Sequence, residues 1–273
     1  MTPSRSLIAV HHCRPLVPYN LGLQLQRKLV SKRLSDPTTP NILLLLQHTP
    51  VFTAGRRMKG ASTSDEATLI KQKTGLTLFE TPRGGQTTFH GPGQLVGYPI
   101  LDLRTITEKN SSTKPGDEKR PGVSVRGFVH GLEEAMIHAC GEFGVHAMRT
   151  ENTGVWVSED RKVAALGVQV SRYITSHGFA LNCNVDLSYF DAIVPCGLVD
   201  KKATSLTREV AGREGEGGRE VTIDRAIPAV TAGFEKAFDV DLVPLSTIDA
   251  ALATEIDELV TFGEKENPYF FCV

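Results

Sequence analysis

The chain has 273 residues, a length that suits one large domain or two small ones, because a single hydrophobic core stops growing near roughly 250 to 300 residues. Apolar residues make up 40% and charged residues 22%, which excludes disordered and fibrous classes. Lysine plus arginine (30) nearly balance aspartate plus glutamate (31), so no net field would collect nucleic acid. The longest apolar run, Ile42 to Leu46, is far shorter than the ~20 residues that cross a bilayer. We therefore expect no nucleic-acid partner and no membrane partner.

The five cysteines, at positions 13, 140, 183, 196 and 272, include no C-x-x-C pair and are odd in number. This pattern argues against a zinc site and against a disulfide framework, so we expect reduced thiols and no metal. Six basic residues precede the first acidic residue, Asp36, which is similar to a mitochondrial transit peptide. The alternative is a folded start, because Leu7 to Val10 is typical of a strand and Tyr19 to Leu34 of a helix. Composition leaves both open.

Hydrophobic periodicity predicts helices and strands in an irregular order. The predicted helices are Tyr19 to Leu34, Val125 to Phe143 with Gly144 as its C-cap, and the segment from Ala226 to Phe238. The predicted strands are Leu7 to Val10, Ile42 to Leu46, Gly154 to Val157, Val163 to Val170 and Phe179 to Val185. Because the two types do not alternate regularly, the sequence favours an α+β fold, a mixed β-sheet flanked by helices, over a doubly wound fold.

Two polar stretches interrupt this pattern. Residues 104–122 contain one large apolar residue, Ile106, among eight charged residues and two prolines. Residues 209–220 contain four glycines and six charged residues. Such compositions cannot cover a core, so we interpret both as surface insertions in a single catalytic domain that spans residues 1–273.

The segment from Arg83 to Gln94 reads R-G-G-Q-T-T-F-H-G-P-G-Q and holds four glycines within twelve residues. So much glycine lets the backbone approach a ligand closely, although two tight turns flanking a strand would have the same composition. The segment lacks the lysine and the spacing of a phosphate-binding P-loop. Arg83 and His90 within the same stretch favour a ligand-binding loop.

Cys196 differs from the other cysteines because it lies between Pro195 and Gly197 in a predicted turn. Cys140 and Cys183 fall on apolar faces and are interpreted as core thiols. A turn of this kind could present a reactive thiol, although a buried turn cysteine is an equal alternative. A thiolate needs a cationic or donor neighbour, for which the sequence offers Lys162, His90 and His177. By its own context, Lys162 is an ordinary strand-edge lysine.

Taken together, these segments resemble the lipoyl(octanoyl) transferase family, of the biotin/lipoate protein ligase and transferase fold group. The likeness rests on the segment from Arg83 to Gln94 and on four further motifs in order: T-G-V-W-V at 153–157, K-V-A-A-L-G at 162–167, T-S-H-G-F-A-L-N at 175–182 and V-P-C-G-L at 194–198. Further similarity at T-S-L, 204–206, favours the eukaryotic mitochondrial type. The resemblance covers most of the chain and implies a catalytic domain of that α+β fold.

The resemblance implies Cys196 as the nucleophile and Lys162 as its partner. The implied contacts to the acyl substrate are Arg83, Gly84, Gly85, Gln86, Thr87, Thr88, Phe89, His90, Ala165, Leu166, Gly167, Gly178, Phe179 and Ala180. Phe89 stands where many members of the family have tyrosine.

The implied activity is transfer of an octanoyl group from octanoyl-acyl carrier protein to a lysine of lipoyl domains, through a Cys196 thioester and without a cofactor. The implied acceptors are 2-oxoacid dehydrogenase-type complexes and the glycine cleavage H protein. The reaction would be the first step of endogenous protein lipoylation. Its implied location is the mitochondrial matrix, or the cytoplasm if the source is bacterial.

Two other functions fit the same sequence. An ATP-dependent lipoate or biotin protein ligase of the same fold would activate a free acid and would need no cysteine nucleophile. A catalytically silent module would bind lipoyl domains, and the presence of both Cys196 and Lys162 speaks against it. Formation of a thioester from acyl carrier protein without ATP separates the transferase from the ligase.

Overall fold

The computed structural model describes residues 5–56, 61–106, 122–193, 201–211 and 220–266, without the side chains of 61–63 and 263–266. Within these residues the strands are β1 (Ser6–Val17), β2 (Ile42–His48), β3 (Val51–Ala54), β4 (Leu78–Glu80), β5 (Thr88–His90), β6 (Gln94–Ile100), β7 (Val155–Trp156), β8 (Arg161–Ser171), β9 (Ile174–Asn182), β10 (Lys202–Ala203) and β11 (Val240–Pro244). The helices are α1 (Tyr19–Ser35), α2 (Ala61–Thr74), α3 (Val125–Gly141), α4 (Leu206–Val210), α5 (Ile223–Phe238), α6 (Leu245–Ile248) and α7 (Ala250–Glu266). A 3₁₀ helix covers Leu187–Ala192. Cys196, the V-P-C-G-L segment that contains it, and Cys272 lie outside the described residues.

Two sheets organise the described part of the fold. The main sheet has the strand order β10-β8-β9-β6-β2-β1-β11, and β7 pairs with β8 beside this path. The pairs of β1 with β2 and β11, and of β8 with β10, are parallel, whereas β2–β6, β6–β9 and β8–β9 are antiparallel. A small sheet has the order β4-β3-β5. The predicted α+β class with a mixed sheet is confirmed.

Helices cover both faces of the main sheet. Helices α3 and α5 pack on one face, where Phe128 and Phe234 belong to a continuous apolar cluster. Helices α1 and α7 pack on the other face, where Leu25 and Ile256 belong to a second cluster. Strand β2 lies between these two helical layers, and its side chains point alternately to one layer and the other. It is therefore buried on both faces, as the apolar run Ile42 to Leu46 predicts. Among the helices in the described part of the chain, none has the length and apolar composition needed to cross a membrane.

The predicted elements are present, and several boundaries differ. The strand predicted for Phe179 to Val185 begins earlier and ends at Asn182, because the next two amides, of Cys183 and Asn184, both donate to Gly93 O (3.1 and 3.0 Å). The ladder to β6 therefore stops there. The strand predicted for Gly154 to Val157 is reduced to β7, because Gly154 has a φ of 135° and belongs to a turn.

The two predicted insertions lie mostly outside the described residues, at 107–121 and 212–219. The described residues on either side of the first stretch are close together, because Val123 N donates a hydrogen bond to Leu103 O (2.9 Å). Its predicted range was too wide, because Ile106 is 1% exposed and belongs to the core. The second was also too wide, because Glu209 and the buried Val210 belong to α4.

Candidate active site

A cavity of about 340 Å³ lies between the main sheet and the glycine-rich segment. Its walls come from β6, β8 and β9 on one side and from residues 83–90 on the other. Nearly all the sequence-predicted substrate contacts line it: Arg83, Gly84, Gly85, Gln86, Thr87, Thr88, His90, Ala165, Leu166, Gly167, Gly178, Phe179 and Ala180. Lys162 lines it as well. The fold therefore brings three separate sequence motifs to one cavity, whose size is within the range of about 300 to 1,000 Å³ typical of small-molecule sites.

The glycine-rich segment is held directly against β8. Gly84 N donates to Val168 O (3.0 Å), and Arg56 N donates to Arg83 O (3.0 Å). An added Cβ on Gly167 would lie 2.7 Å from Gly84 O, so the strand and the loop can approach this closely only without a side chain there. Gly85 has a φ of 89°, a conformation that favours glycine. These contacts fix the loop as one wall of the cavity.

Arg83 places a buried guanidinium beside this wall. It donates to Thr53 O (2.8 Å), Thr53 Oγ1 (2.7 Å) and Gly84 O (3.0 Å). Burial lowers the pKa of Arg83, and no carboxylate pairs with it among the residues that the structure describes. A buried cation held by carbonyl and hydroxyl groups alone favours further acceptor atoms beside it, from ordered water or from a ligand.

Lys162 is the second residue of β8, and a loop that precedes β7 holds its amine. Lys162 Nζ donates to Thr153 O (3.1 Å) and lies 4.5 Å from the centre of the Trp156 ring. Gly154 N donates to the buried Glu133 Oε1 (3.0 Å), which fixes the loop to α3. An added Cβ on Gly154 would lie 2.9 Å from Lys162 Cε, so this glycine leaves room for the lysine side chain. The amine is thus positioned at the rim of the cavity by groups from three elements.

The histidines of the cavity are neutral bases. His90 Nδ1 is hydrogen-bonded to Gln94 Oε1 (2.7 Å), and burial holds its pKa well below the usual value. Burial also lowers the pKa of His177 to about 3, and it lowers to about 4 the pKa of His48, which contacts His90 but does not line the cavity. Neutral imidazoles supply no positive charge to a thiolate. Of the three thiol partners suggested by the sequence, only Lys162 offers an ammonium.

Three cysteines lie in the described part of the chain, and all three are buried. Cys140 and Cys183 are core residues, as the sequence predicts, and Cys13 packs in the second cluster. Burial raises the pKa of each to about 12, so none forms a thiolate near neutral pH. A cysteine nucleophile therefore has to be Cys196 or Cys272.

Phe89 is the exception among the predicted contacts, because its side chain does not line the cavity. Residues of a strand alternate between two faces, so Thr88 and His90 face the cavity while Phe89 faces the opposite way. Its ring is 1% exposed and stacks on Tyr189 at 4.4 Å between centroids. Phe89 therefore packs the small sheet against the 3₁₀ helix, and the absence of a tyrosine hydroxyl here removes nothing from the cavity.

Other residues line the cavity without having been predicted. Alternate residues of β6 face it, namely Gln94, Val96 and Tyr98. Gln94 Nε2 donates to Asn182 Oδ1 (2.9 Å), which joins β6 to the end of β9. Tyr19, at the start of α1, also lines it. The period of two from Gln94 onward would have identified the β6 residues, whereas no local signal points to Tyr19.

The chain is similar to known proteins in sequence and in fold. The model of the lipoyl protein ligase A/B catalytic domain matches residues 18–235. The octanoyltransferase of Koribacter versatilis is 40% identical over 244 residues, which cover 88% of each chain. The mitochondrial octanoyl-(acyl-carrier-protein):protein N-octanoyltransferase LIPT2 of Danio rerio is 42% identical over 235 residues, which cover 86% of this chain and 93% of the relative. The fold is similar to that of the bi-partite lipoate protein ligase of Thermoplasma acidophilum, with a TM-score of 0.59, 16% identity and coverage of 93% and 92% of the two chains.

Proposed function

Because this chain belongs to the octanoyltransferase family and is an acyltransferase, we propose that it moves an octanoyl group from octanoyl-acyl carrier protein to a lysine of a lipoyl domain, through a thioester on Cys196. The proposed acceptors are the lipoyl domains of 2-oxoacid dehydrogenase-type complexes and the glycine cleavage H protein, which makes the reaction the first step of endogenous lipoylation. One observation carries the proposal: the amine of Lys162 lies at the rim of a cavity that is also lined by Ile193 and Ala203, which among the described lining residues are the nearest in sequence to Cys196 on either side.

Chain connectivity supports a position of Cys196 near Lys162. Three residues span at most about 11 Å, so the proposed position of Cys196 is within reach of Ile193. On the other side, β10 pairs with β8 so that Ala203 is opposite Lys162, and Thr204 N donates to Lys162 O (2.8 Å). The chain therefore enters and leaves the segment of Cys196 beside the cavity, and one of the two flanking residues is paired with the lysine itself.

The proposed first step is acyl transfer to the enzyme. A free cysteine with a pKa near ~8.5 is only a few per cent ionised at pH 7, so the Lys162 ammonium stabilises the Cys196 thiolate. The thiolate attacks the carbonyl carbon of the carrier thioester, and the bond from that carbon to the carrier sulfur breaks. The leaving sulfur takes a proton from Lys162. The products are carrier thiol, neutral Lys162 and octanoyl-Cys196.

The proposed second step returns the enzyme to its starting state. The neutral amine of the acceptor lysine attacks the carbonyl carbon of octanoyl-Cys196 and loses a proton to Lys162. The carbon–sulfur bond breaks, which leaves an amide on the acceptor and restores the thiolate beside the ammonium. Backbone amides of residues 165–167 that face the cavity are the proposed donors to the negative oxygen that forms in each step.

Intact-mass spectrometry after mixing with octanoyl-acyl carrier protein, without ATP, tests the proposal. We expect an octanoyl adduct that hydroxylamine removes, as a thioester requires. Cys196→Ala should lose the adduct completely.

Cys272→Ala is the matched control, because it removes the other cysteine that lies outside the described residues. It should keep the adduct in full. Loss of the adduct in Cys272→Ala but not in Cys196→Ala would move the nucleophile to Cys272. Modification of a lipoyl domain that strictly requires ATP would instead support the ligase.

The proposed location is the mitochondrial matrix, with the cytoplasm as the alternative for a bacterial source. The acid-poor start of the sequence and the mitochondrial relative from Danio rerio support the matrix, whereas the Koribacter versatilis relative fits the alternative. From Ser6 onward, however, this stretch forms β1, which pairs with both β2 and β11. Cleavage within β1 would remove a strand of the main sheet, so N-terminal sequencing of the mature protein should find β1 intact.

A further inference from the structure

The buried inner end of the cavity is polar, whereas apolar residues line part of its side walls. These apolar wall residues include Val96, Ala165 and Ala180. The inner end, here called the polar floor, consists of five buried residues: Tyr19, Arg83, His90, Tyr98 and His177. An acyl chain that entered between the apolar walls would therefore meet hydrogen-bonding groups at its far end.

His177 reaches the polar floor through an unusual backbone conformation. It has a φ of 56° in the middle of β9, which non-glycine residues rarely adopt and which often marks a functional position. The period of two groups His177 with Phe179 and Leu181, which pack toward α3 and α5. Its ring instead lies edge-on to Tyr98, which belongs to the cluster on the α1 side, at 6.1 Å between centroids. The fold thus maintains a strained backbone that directs this imidazole to the floor.

Polar atoms without protein partners surround this imidazole. Within the described residues, His177 Nδ1, Arg83 Nε and Gln26 Nε2 are buried and have no hydrogen-bond partner. Gln26 lies behind the floor on α1, is 2% exposed, and accepts a hydrogen bond from His177 N through Oε1 (2.7 Å). Buried polar atoms of this kind are normally satisfied by ordered water or by a ligand.

The position of the reacting groups fixes the direction of the acyl chain. Lys162 lies at the exposed rim, close to the exposed Glu151 and Thr153. The carrier protein and the acceptor lysine are both macromolecular, so the thioester has to form at this rim. The methyl end of the acyl chain therefore points along the apolar walls toward the polar floor.

We infer that the polar floor sets the upper length of the acyl chain that the enzyme accepts, with His177 as the residue that determines this specificity. The inference rests on the proposed function, because it takes the acyl group as the occupant of the cavity. Each added methylene raises the affinity for the acyl chain as long as it displaces water from the apolar walls. A methylene that reaches the polar floor displaces water from polar atoms. Because it cannot replace the hydrogen bonds of that water, it lowers the affinity for the acyl chain. The floor thus limits length by chemistry as well as by shape.

The first test uses the unaltered protein and free straight-chain carboxylic acids of six, eight, ten and twelve carbons. Titration calorimetry should show affinity rising roughly fourfold per methylene up to eight carbons. It should then fall, or stop rising, between eight and ten carbons. A steady rise through twelve carbons would contradict the inference. This binding measurement does not involve Cys196, so a break in the series would stand even if no thioester formed.

The second test uses His177→Gly, because glycine adopts the same positive φ without strain. Removal of the imidazole should raise the decanoyl-to-octanoyl ratio of kcat/KM roughly tenfold or more, which is the range expected when a site no longer rejects an added methylene. His177→Asn keeps a polar group and tolerates a positive φ, so it should retain the preference for octanoyl.

Arg172→Gly is the matched control for backbone strain. Arg172 also has a positive φ, of 49°, but it is exposed at the turn between β8 and β9 and does not line the cavity. Its replacement should leave the length preference unchanged. An unchanged ratio in folded His177→Gly, or an equal shift in Arg172→Gly, would remove His177 from length selection. If His177→Gly does not fold, the acid series on the unaltered protein still tests the length limit, and loss of the octanoyl preference in folded His177→Asn would contradict the role of a polar group at this position.

Discussion

At the scale of single residues, the position of Lys162 depends on residues that are distant from it in sequence. Glu133 on α3 holds Gly154, the carbonyl of Thr153 accepts from the lysine, and the ring of Trp156 lies beneath its amine. From the sequence alone Lys162 is indistinguishable from an ordinary strand-edge lysine, and only the family resemblance singles it out. A local pattern cannot report such a site, because each supporting contact comes from another element.

Lys162→Ala should slow formation of the acyl-enzyme by roughly 100-fold or more, the usual effect of losing a positioned acid–base group. It should also move the rate profile to higher pH, because the Cys196 thiolate loses its stabilising ammonium. Quenched single-turnover rates between pH 6 and 9 would measure both effects.

Lys201→Ala is a useful control, because Lys201 Nζ lies 5.9 Å from the centre of the same Trp156 ring but does not line the cavity. Its rate and pH profile should match those of the unaltered enzyme. A Lys162→Ala enzyme with an unchanged rate and pH profile would remove this lysine from the mechanism.

At the scale of elements, the sequence predicts three of the long helices and five strands, whereas helix α7, strand β6 and the elements around the small sheet were missed. Helices α1, α3 and α5 each bury an apolar face, and the spans that the sequence predicts for them overlap the observed helices. The sequence does not predict helix α2 or the short strands β3 to β5. Their formation depends on packing against the 3₁₀ helix and on pairing in the small sheet, which no local pattern reports. The sequence predicts a ligand-binding loop for the glycine-rich segment, and the structure shows that this segment lines the cavity, although its path over β8 depends on contacts with that strand.

The first insertion gives a prediction at this scale. Replacement of residues 107–121 by a short glycine-serine linker should change the melting temperature and the turnover only slightly, because Leu103 and Val123 already bring its two ends together. Thermal melting and octanoyl transfer would measure this.

A wider replacement of 105–122 provides the contrast. It also removes Ile106 from the core and should cost about 2 to 5 kcal/mol of stability. Equal stability of the two variants would show that Ile106 contributes little. Loss of carrier-protein binding with the narrow replacement would give the insertion a role in recognition.

At the scale of the whole molecule, burial of neutral histidines links stability to pH. His48, the last residue of β2, is hydrogen-bonded to Val17 O and to the Tyr98 hydroxyl. Burial lowers its pKa to about 4, whereas histidine in an unfolded chain titrates near ~6.5. Between these values the unfolded chain binds more protons than the folded protein. Stability is therefore complete above about pH 6.5 and falls as the pH decreases toward 4.

The loss should approach roughly 3 kcal/mol from His48 alone, since each pKa unit corresponds to about 1.4 kcal/mol. Urea unfolding at a series of pH values would measure it. His48→Gln should show a smaller slope between pH 4.5 and 6.5, while the exposed His130→Gln should keep the original slope. Identical slopes in all three proteins would show that His48 is not buried in the neutral form.

The central claim is that the octanoyl group passes through Cys196 on its way to the acceptor lysine. Its most direct measurement is a single turnover in which enzyme, octanoyl-acyl carrier protein and lipoyl domain are mixed without ATP, quenched at intervals and analysed by peptide mass spectrometry. We expect octanoyl-Cys196 to rise first and then decay, with octanoyl-lysine on the lipoyl domain appearing after a matching lag. Octanoyl-lysine that accumulates without a lag, while Cys196 stays unmodified, would contradict the mechanism.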